Sequence, residues 1–353
     1  MSIHIRLPPS WQIACMPFVG LGLSLSNEDP LPITLGVAER ADSLGFTEVS
    51  LPESRQHRAV FTAAAAVLAR TSRVRVRVGI ANPVTRHPSV LAMEAATLAE
   101  IGGPQRVRFG IGAAEWTLKA LGYVDETWQP YTHTVEAIRA IRRWFDGQDL
   151  GFEPSTFAAP RSTRLDFPPP RGMTIDVGAV NARMLRAAGH YGDGVQLGAI
   201  TSPSYTAWAR DRIAEGAAEI GRDPASLLVS ANVLTSVGRD RLEARDAVRA
   251  VLAYYLWRVE GVVITESGAD PEAVAAVRTA MQDRGPQSAA AMITDDLIDT
   301  FAVAGTVDDV VVGLARFADA GLDLPLAWYT FGPDVDWAMQ ALARDVRPAV
   351  CEQ

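Results

Sequence analysis

Two carboxylates and three small-residue turns in this chain have types and spacings that could do chemistry. Glu115 follows Gly110-Ile111-Gly112-Ala113-Ala114, at the end of what reads as a short strand, residues 107–111. A carboxylate held in an apolar mouth takes a raised pKa and can handle protons near neutrality. A solvated glutamate at a helix start, favoured there by the dipole, fits the same position. Glu53, in Ser50-Leu51-Pro52-Glu53-Ser54-Arg55-Gln56-His57, offers a second charge after another strand. The glycines of Gly110-Ile111-Gly112 would let a ring or a phosphate approach the backbone, and Gly79-Ile80-Ala81-Asn82-Pro83 ends a strand in small residues. Asp176-Val177-Gly178-Ala179-Val180-Asn181-Ala182-Arg183-Met184-Leu185 reads as strand, turn and short helix. Free N–H groups at 180–183 would make an anion site there, with Arg183 adding a charged hydrogen bond. Each run is also compatible with an ordinary strand–turn–helix segment.

Elements of alternating type must position these residues. Strands are expected at 11–18, 46–51, 74–81, 106–111, 173–179, 194–198, 226–233 and 324–331, several as continuous apolar runs suited to a sheet covered on both faces. Helical patterns lie between them. One carries Leu35, Ala38, Ala41 and Asp42 and stops at Gly45; another starts at Pro88, where a missing N–H is harmless; a third shows Val135, Ile138, Ile141 and Phe145 inward; a fourth follows Thr306 as N-cap. Eight strands with helices between them suggest an α/β fold, a (β/α)8 TIM barrel, with a doubly wound open sheet as the runner-up. A single domain over 1–353 is expected, with a Pro-, Gly- and Ser-rich loop insertion near 147–172 and a helical insertion near 240–300, both shaping the substrate pocket. Trp328 and Tyr329, ending the last strand, could wall that pocket.

The bulk numbers exclude several functions. The 353 residues are 48% hydrophobic and carry a net charge of −8, so general binding to nucleic acid or to an anionic membrane is not expected. The opening MSIHIRLPPSWQ has no apolar signal-peptide core, and the run 61–69 is too short to span a bilayer. Cys15 and Cys351 form neither a disulfide framework nor a metal pattern. Zinc spacings, Walker-type loops and Gly-x-Ser-x-Gly are absent. A cytoplasmic enzyme acting on a small molecule is the expectation.

The stretch 75–112 (small-x-x-Asn-Pro-x-x-Arg-x-Pro, a helix, then Gly-Ile-Gly), AEIGRDP at 218–224 and FAVAGTVDDV at 301–310 together resemble the luciferase-like monooxygenase superfamily. Within it the likeness is greatest to the coenzyme F420-dependent branch, the methylenetetrahydromethanopterin reductase-like oxidoreductases. The resemblance implies a bacterial-luciferase-like barrel with a deazaflavin across its C-terminal mouth. It implies a non-prolyl cis peptide between Gly79 and Ile80 beneath the ring. It implies cofactor contacts from Glu53, Gly79, Ile80, Asn82, Ala113, Ala114, Gly178, Val180, Asn181, Arg183 and Met184, acid/base roles for Glu115 and Glu53, no metal, and a homodimer. Glu53-Ser54 stands where many relatives carry Asp-His, and Ser54 cannot act as an imidazole would at neutral pH; His57 is an alternative imidazole on the same loop. The implied activity is a reductase moving a hydride between reduced deazaflavin and an imine, an iminium or a conjugated C=C. The alternatives are a monooxygenase using reduced FMN, and a barrel that binds a cofactor without turnover.

Overall fold

Strands β1 (Gly22–Ser24), β2 (Glu48–Leu51), β3 (Arg75–Ala81), β4 (Val107–Gly112), β5 (Thr174–Ala179), β6 (Gly194–Leu197), β7 (Leu228–Val237), β8 (Ala302–Gly305) and β9 (Leu324–Phe331) succeed one another along the chain. The computed structural model describes residues 18–54 and 56–351. All pairings are parallel, as helical crossovers between successive strands require. β1 to β6 pair in sequence, β6 pairs the first half of β7, β7 pairs β9 and β9 returns to β1. That closes an eight-stranded (β/α)8 barrel. β8 stands outside the ring and pairs the far half of β7, from Leu234↔Ala302 to Val237↔Gly305.

Two strand assignments differ from the sequence pattern. The strand expected at 11–18 lies, apart from Phe18, outside the described residues; β1 is three residues long and carries no β-branched run. β8 was expected only as the lead-in to a helix, because four small and apolar residues give no period to read. The helix signals fare better. Gly45 ends Leu31–Leu44 at φ +80°, a left-handed turn that glycine makes without a Cβ penalty. Pro88 opens Pro88–Gly102, and Thr306 with Asp309 forms a capping box on Val307–Asp319.

The interior of the barrel is not uniformly apolar, as the continuous runs suggested. Glu48, Arg77 and Asp176 are fully buried and, with Arg108, form one charged cluster across β2, β3, β4 and β5. Arg77 bridges Glu48 and Asp176, while Arg108 lies 3.2 Å from each. Burial alone would push the Arg77 guanidinium down; Glu48 and Asp176 outweigh this and hold it above its ordinary value. These residues sit early in parallel strands, so the cluster lies toward the N-terminal face.

The two insertions play unequal parts. Residues 147–172 hold no helix or strand and lie against the outside of the helix Pro130–Phe145, where Glu136 accepts from Ser155 and Thr156 and the Trp144 indole donates to Thr163 O at 2.8 Å. The segment between β7 and β8 is helical, with Arg241–Arg258, Gly261–Ser267, Pro271–Arg284, Pro286–Ala291 and Asp295–Phe301. No described helix is long and apolar enough to cross a membrane.

Candidate functional site

At the C-terminal ends of the strands a cavity of about 510 Å³ opens, the size class of small-molecule and cofactor sites. Its floor is a bulge in β3. Pairing with β4 slips between Val78 and Ala81, and the Gly79–Ile80 peptide is cis, at the bond the resemblance singled out. The bulge throws the Ile80 side chain across β4 and β5. A Cβ on Gly110 would lie 2.4 Å from Val78 O and 2.9 Å from Ile80 Cγ2, one on Gly112 2.6 Å from Ile80 Cδ1, and one on Gly178 3.2 Å from the same side chain. The glycines of Gly110-Ile111-Gly112, expected to admit a ring or a phosphate, make room for Ile80 and, at Gly110, for the Val78 carbonyl. Gly79 is itself enclosed, its missing Cβ lying 2.4 Å from Ser50 Oγ and 2.7 Å from Gln196 Oε1.

Polar groups on this floor lack partners. Gln196 Oε1 and Asn232 Oδ1 are buried without a hydrogen bond among the described residues, and both side chains line the cavity. Such atoms cost about 1–3 kcal/mol each when unsatisfied, unless water or a ligand supplies a donor. Sequence reasoning passed over both. The signal was present for Gln196, the one polar side chain of Gly194–Leu197, and weaker for Asn232, which shares its strand with Ser230, Thr235 and Ser236.

On one side the cavity meets the helix Ala182–Tyr191. Asn181 caps it, accepting from Met184 N at 3.0 Å, a bond that leaves the N–H groups of 180–183 untouched. Arg183 stacks on Tyr131 at 3.8 Å from the ring centroid. The turn before the cap is fixed from behind, where the buried Tyr205 hydroxyl donates to Val180 O at 2.7 Å. Gly178, Val180, Asn181, Arg183 and Met184 all line the cavity, as do Glu53, Gly79, Ile80, Ala113, Ala114 and Glu115. Ala114 takes φ +47°, unusual for a residue with a Cβ, just before the short helix Glu115–Ala120.

The expected carboxylates are both engaged. Glu115 does not sit in an apolar surround: its side chain is half exposed and pairs at 2.5 Å with Lys119, one turn along the same helix. Glu53 is paired to Arg86, which also meets Glu94 at 3.3 Å. Burial raises the Glu94 carboxyl; Arg86 opposes this and Glu53 reinforces it. Asn82 stands apart from the large cavity. Its Oδ1 accepts from Val84 N, Thr85 N and Thr85 Oγ1, so it builds the turn after β3. It borders a smaller cavity of about 280 Å³ with Glu53, Ser54, His57 and Arg86. Ser54 donates to Asn27 Oδ1 at 3.2 Å, and His57 lies 3.6 Å from Glu28, which lines the main cavity although His57 itself does not.

The opposite wall comes from the helical insertion, whose contribution sequence reasoning left without named residues. Tyr254, Tyr255, Arg258, Val259 and Glu260 line it, whereas no residue of 147–172 does, so the pocket role expected of that loop fails. The Arg258 guanidinium lies 3.7 Å from the Trp116 ring centroid and 4.2 Å from that of Tyr254, tying the insertion to the short helix after β4. Trp328 does wall the cavity, with Tyr255 against it edge-on at 4.6 Å. Protein around Glu260 desolvates its carboxyl and raises it above the usual range; contact with its own backbone N–H opposes this, and the charge of Glu115 adds to it. Because Glu260 also reaches water at the cavity mouth, that rise is tempered.

Comparison with known proteins places this architecture. The chain is 28% identical over 328 residues to 5,10-methylenetetrahydromethanopterin reductase of Methanolobus tindarius, covering 92% of this chain and 98% of that protein. The structure of coenzyme F420-dependent tetrahydromethanopterin reductase from Methanopyrus kandleri shares the fold with a TM-score of 0.86 at 24% identity, over 94% of this chain and 99% of that one. An F420-dependent secondary alcohol dehydrogenase, solved in complex with an F420–acetone adduct, does so with a TM-score of 0.79 at 22% identity, over 96% and 100%. The profile of the luciferase-like monooxygenase family matches residues 13–324, and the chain belongs to that family.

Proposed function

We propose that the protein is an F420-dependent oxidoreductase that reduces an imine, an iminium or a conjugated C=C bond of a small-molecule substrate. The observation that carries this reading is the cavity floor, where Gln196 Oε1 and Asn232 Oδ1 await donors beside the Gly79–Ile80 bulge. A deazaflavin fits that demand, because its ring bears an N–H and its side chain bears hydroxyls. Its phosphate suits the N-terminus of Ala182–Tyr191, where Arg183 adds a cation. The similarity to a methylenetetrahydromethanopterin reductase along nearly the whole chain supports the same reading. When bound, the reduced coenzyme supplies a hydride. The protein's part is to hold and orient. Gly79, Ile80, Gly178 and Met184 shape the floor, Glu53, Ala113 and Ala114 edge it, and Val180 and Asn181 lead into the anion site. Trp116, Tyr255 and Trp328 limit water and present a flat apolar wall to the substrate. Asn82 acts on this site through the turn that it builds.

The whole chain is proposed to work as one barrel domain, in the cytoplasm, as a homodimer. Val90, Met93 and Ile101 support the dimer, since they lie exposed along one face of Pro88–Gly102. The test of function is anaerobic. Reduced F420 is mixed with cyclic imines and enones, and return of the oxidised coenzyme's absorbance is followed. Substrate-dependent reoxidation is expected. Oxygen uptake with reduced FMN and no turnover of F420 would move the protein to the monooxygenase reading.

A further inference from the structure

Reduction of an imine or an enone needs a proton as well as a hydride, and the carboxylates around the cavity are not equivalent donors. Glu53 and Glu115 each engage a cation, Arg86 and Lys119. Glu260 lines the same cavity and has no cation partner among the described residues. It stands where the helix Arg241–Arg258 ends and Gly261–Ser267 begins. Its place is set from behind, because Arg278 donates to Leu256 O and Val259 O, both at 2.9 Å. The charged and titratable groups nearest it are Glu115 across the cavity, Tyr205 on the helix Pro203–Glu219, Arg258 and Tyr254 on the preceding helix, and Arg278 on Pro271–Arg284.

We propose that Glu260 is the acid that protonates the substrate during reduction. The inference rests on the reading under Proposed function. In the step, the Glu260 O–H bond breaks and an N–H bond forms at an imine, or a C–H bond at the α-carbon of an enone. The two electrons arrive as hydride from the reduced F420, which is left oxidised. The Glu260 carboxylate then regains its proton from water at the mouth, to which it is exposed. Desolvation and the facing Glu115 favour its protonated form, as a donor working near neutrality requires. The sign follows. Donation is complete below the Glu260 pKa and fades as pH rises through it; removing the Glu115 charge lowers that pKa and moves the fade to lower pH.

The test begins without coenzyme or substrate. Carbon-13 NMR of the glutamate carboxyls is followed through a pH titration, with Glu260→Gln identifying the resonance. Glu260 is expected to titrate above the ordinary glutamate range and to move down in Glu115→Gln. Titration in the ordinary range, or indifference to Glu115→Gln, would overturn the proposal. The second arm uses a cyclic imine, which needs hydride and proton, and its N-methyl iminium counterpart, which needs hydride alone. Glu260→Gln should slow the imine about 100-fold or more, leave the iminium near the wild-type rate and bind F420 unchanged. Glu260→Asp should restore part of the imine rate. Equal losses on both acceptors would make Glu260 a structural residue and leave the F420 reading standing. Wild-type protein that binds no F420, or reduces neither acceptor, would overturn that reading and this inference with it.

Discussion

Toward the N-terminal face of the barrel, Glu48, Arg77, Arg108 and Asp176 neutralise one another out of water. Toward the C-terminal face, Gln196 Oε1 and Asn232 Oδ1 are buried with no partner, and Glu260 has no cation, among the described residues. Glu48, Arg77, Arg108 and Asp176 below, and Gln196 and Asn232 above, are polar side chains on neighbouring strands, while Glu260 comes from the helical insertion. In the lower set every charge faces an opposite charge across neighbouring strands, although Glu48 Oε2, Arg77 Nη2 and Arg108 Nε make no hydrogen bond among the described residues. The upper set is incomplete, so it lowers stability until something binds. Polar residues inside one barrel therefore separate into structure and function by whether their partners are already present.

The largest effect expected from breaking this contrast is at Arg77. Arg77→Met leaves buried carboxylates short of a cation and should lower unfolding stability by about 3–5 kcal/mol, read by chemical denaturation. Gly79→Val acts on the upper region. Its Cβ would lie within 2.4 Å of Ser50 Oγ and 2.7 Å of Gln196 Oε1, reshaping the floor. F420 affinity should fall at least 100-fold, a loss of about 2.7 kcal/mol or more in binding, with the circular dichroism of the barrel kept. Gln196→Met sharpens the comparison most. It removes an unpaired acceptor, so stability should hold or rise by about 1 kcal/mol while F420 affinity drops about tenfold. A stability loss like that of Arg77→Met would show that the upper residues are structural too. The smallest effect is at the cap, where Asn181→Ala should cost about 1 kcal/mol in thermal unfolding and weaken coenzyme binding a few-fold.

The closed barrel was legible because the ring strands with β-branched runs, such as β3 and β4, stand between well-punctuated helices. β1 and β8 were not, since Gly22–Ser24 and Ala302–Gly305 are too short and too small to carry a pattern. In the site, the bulge position at Gly79–Ile80 came from resemblance, but its packing could not. That Gly110, Gly112 and Gly178 accommodate Ile80 depends on three strands lying side by side. Of the two readings of Glu115, the structure matches the exposed glutamate at a helix start, paired to Lys119 one turn on; sequence shows the turn but not the surround that decides between them. Tyr254, Arg258 and Glu260 went unnamed because helical periodicity does not say which end of an insertion returns to the barrel. That Glu48, Arg77, Arg108 and Asp176 form one cluster went unread, because single charges inside apolar runs look like interruptions until their partners on neighbouring strands are known.

Fluorescence titration of the purified protein with oxidised F420 and, separately, with FMN tests the central claim most directly. Saturable micromolar binding of F420, with FMN weaker by tenfold or more, is the predicted result. Tighter binding of FMN, or binding of neither, would contradict the assignment of the Gly79–Ile80 floor to a deazaflavin.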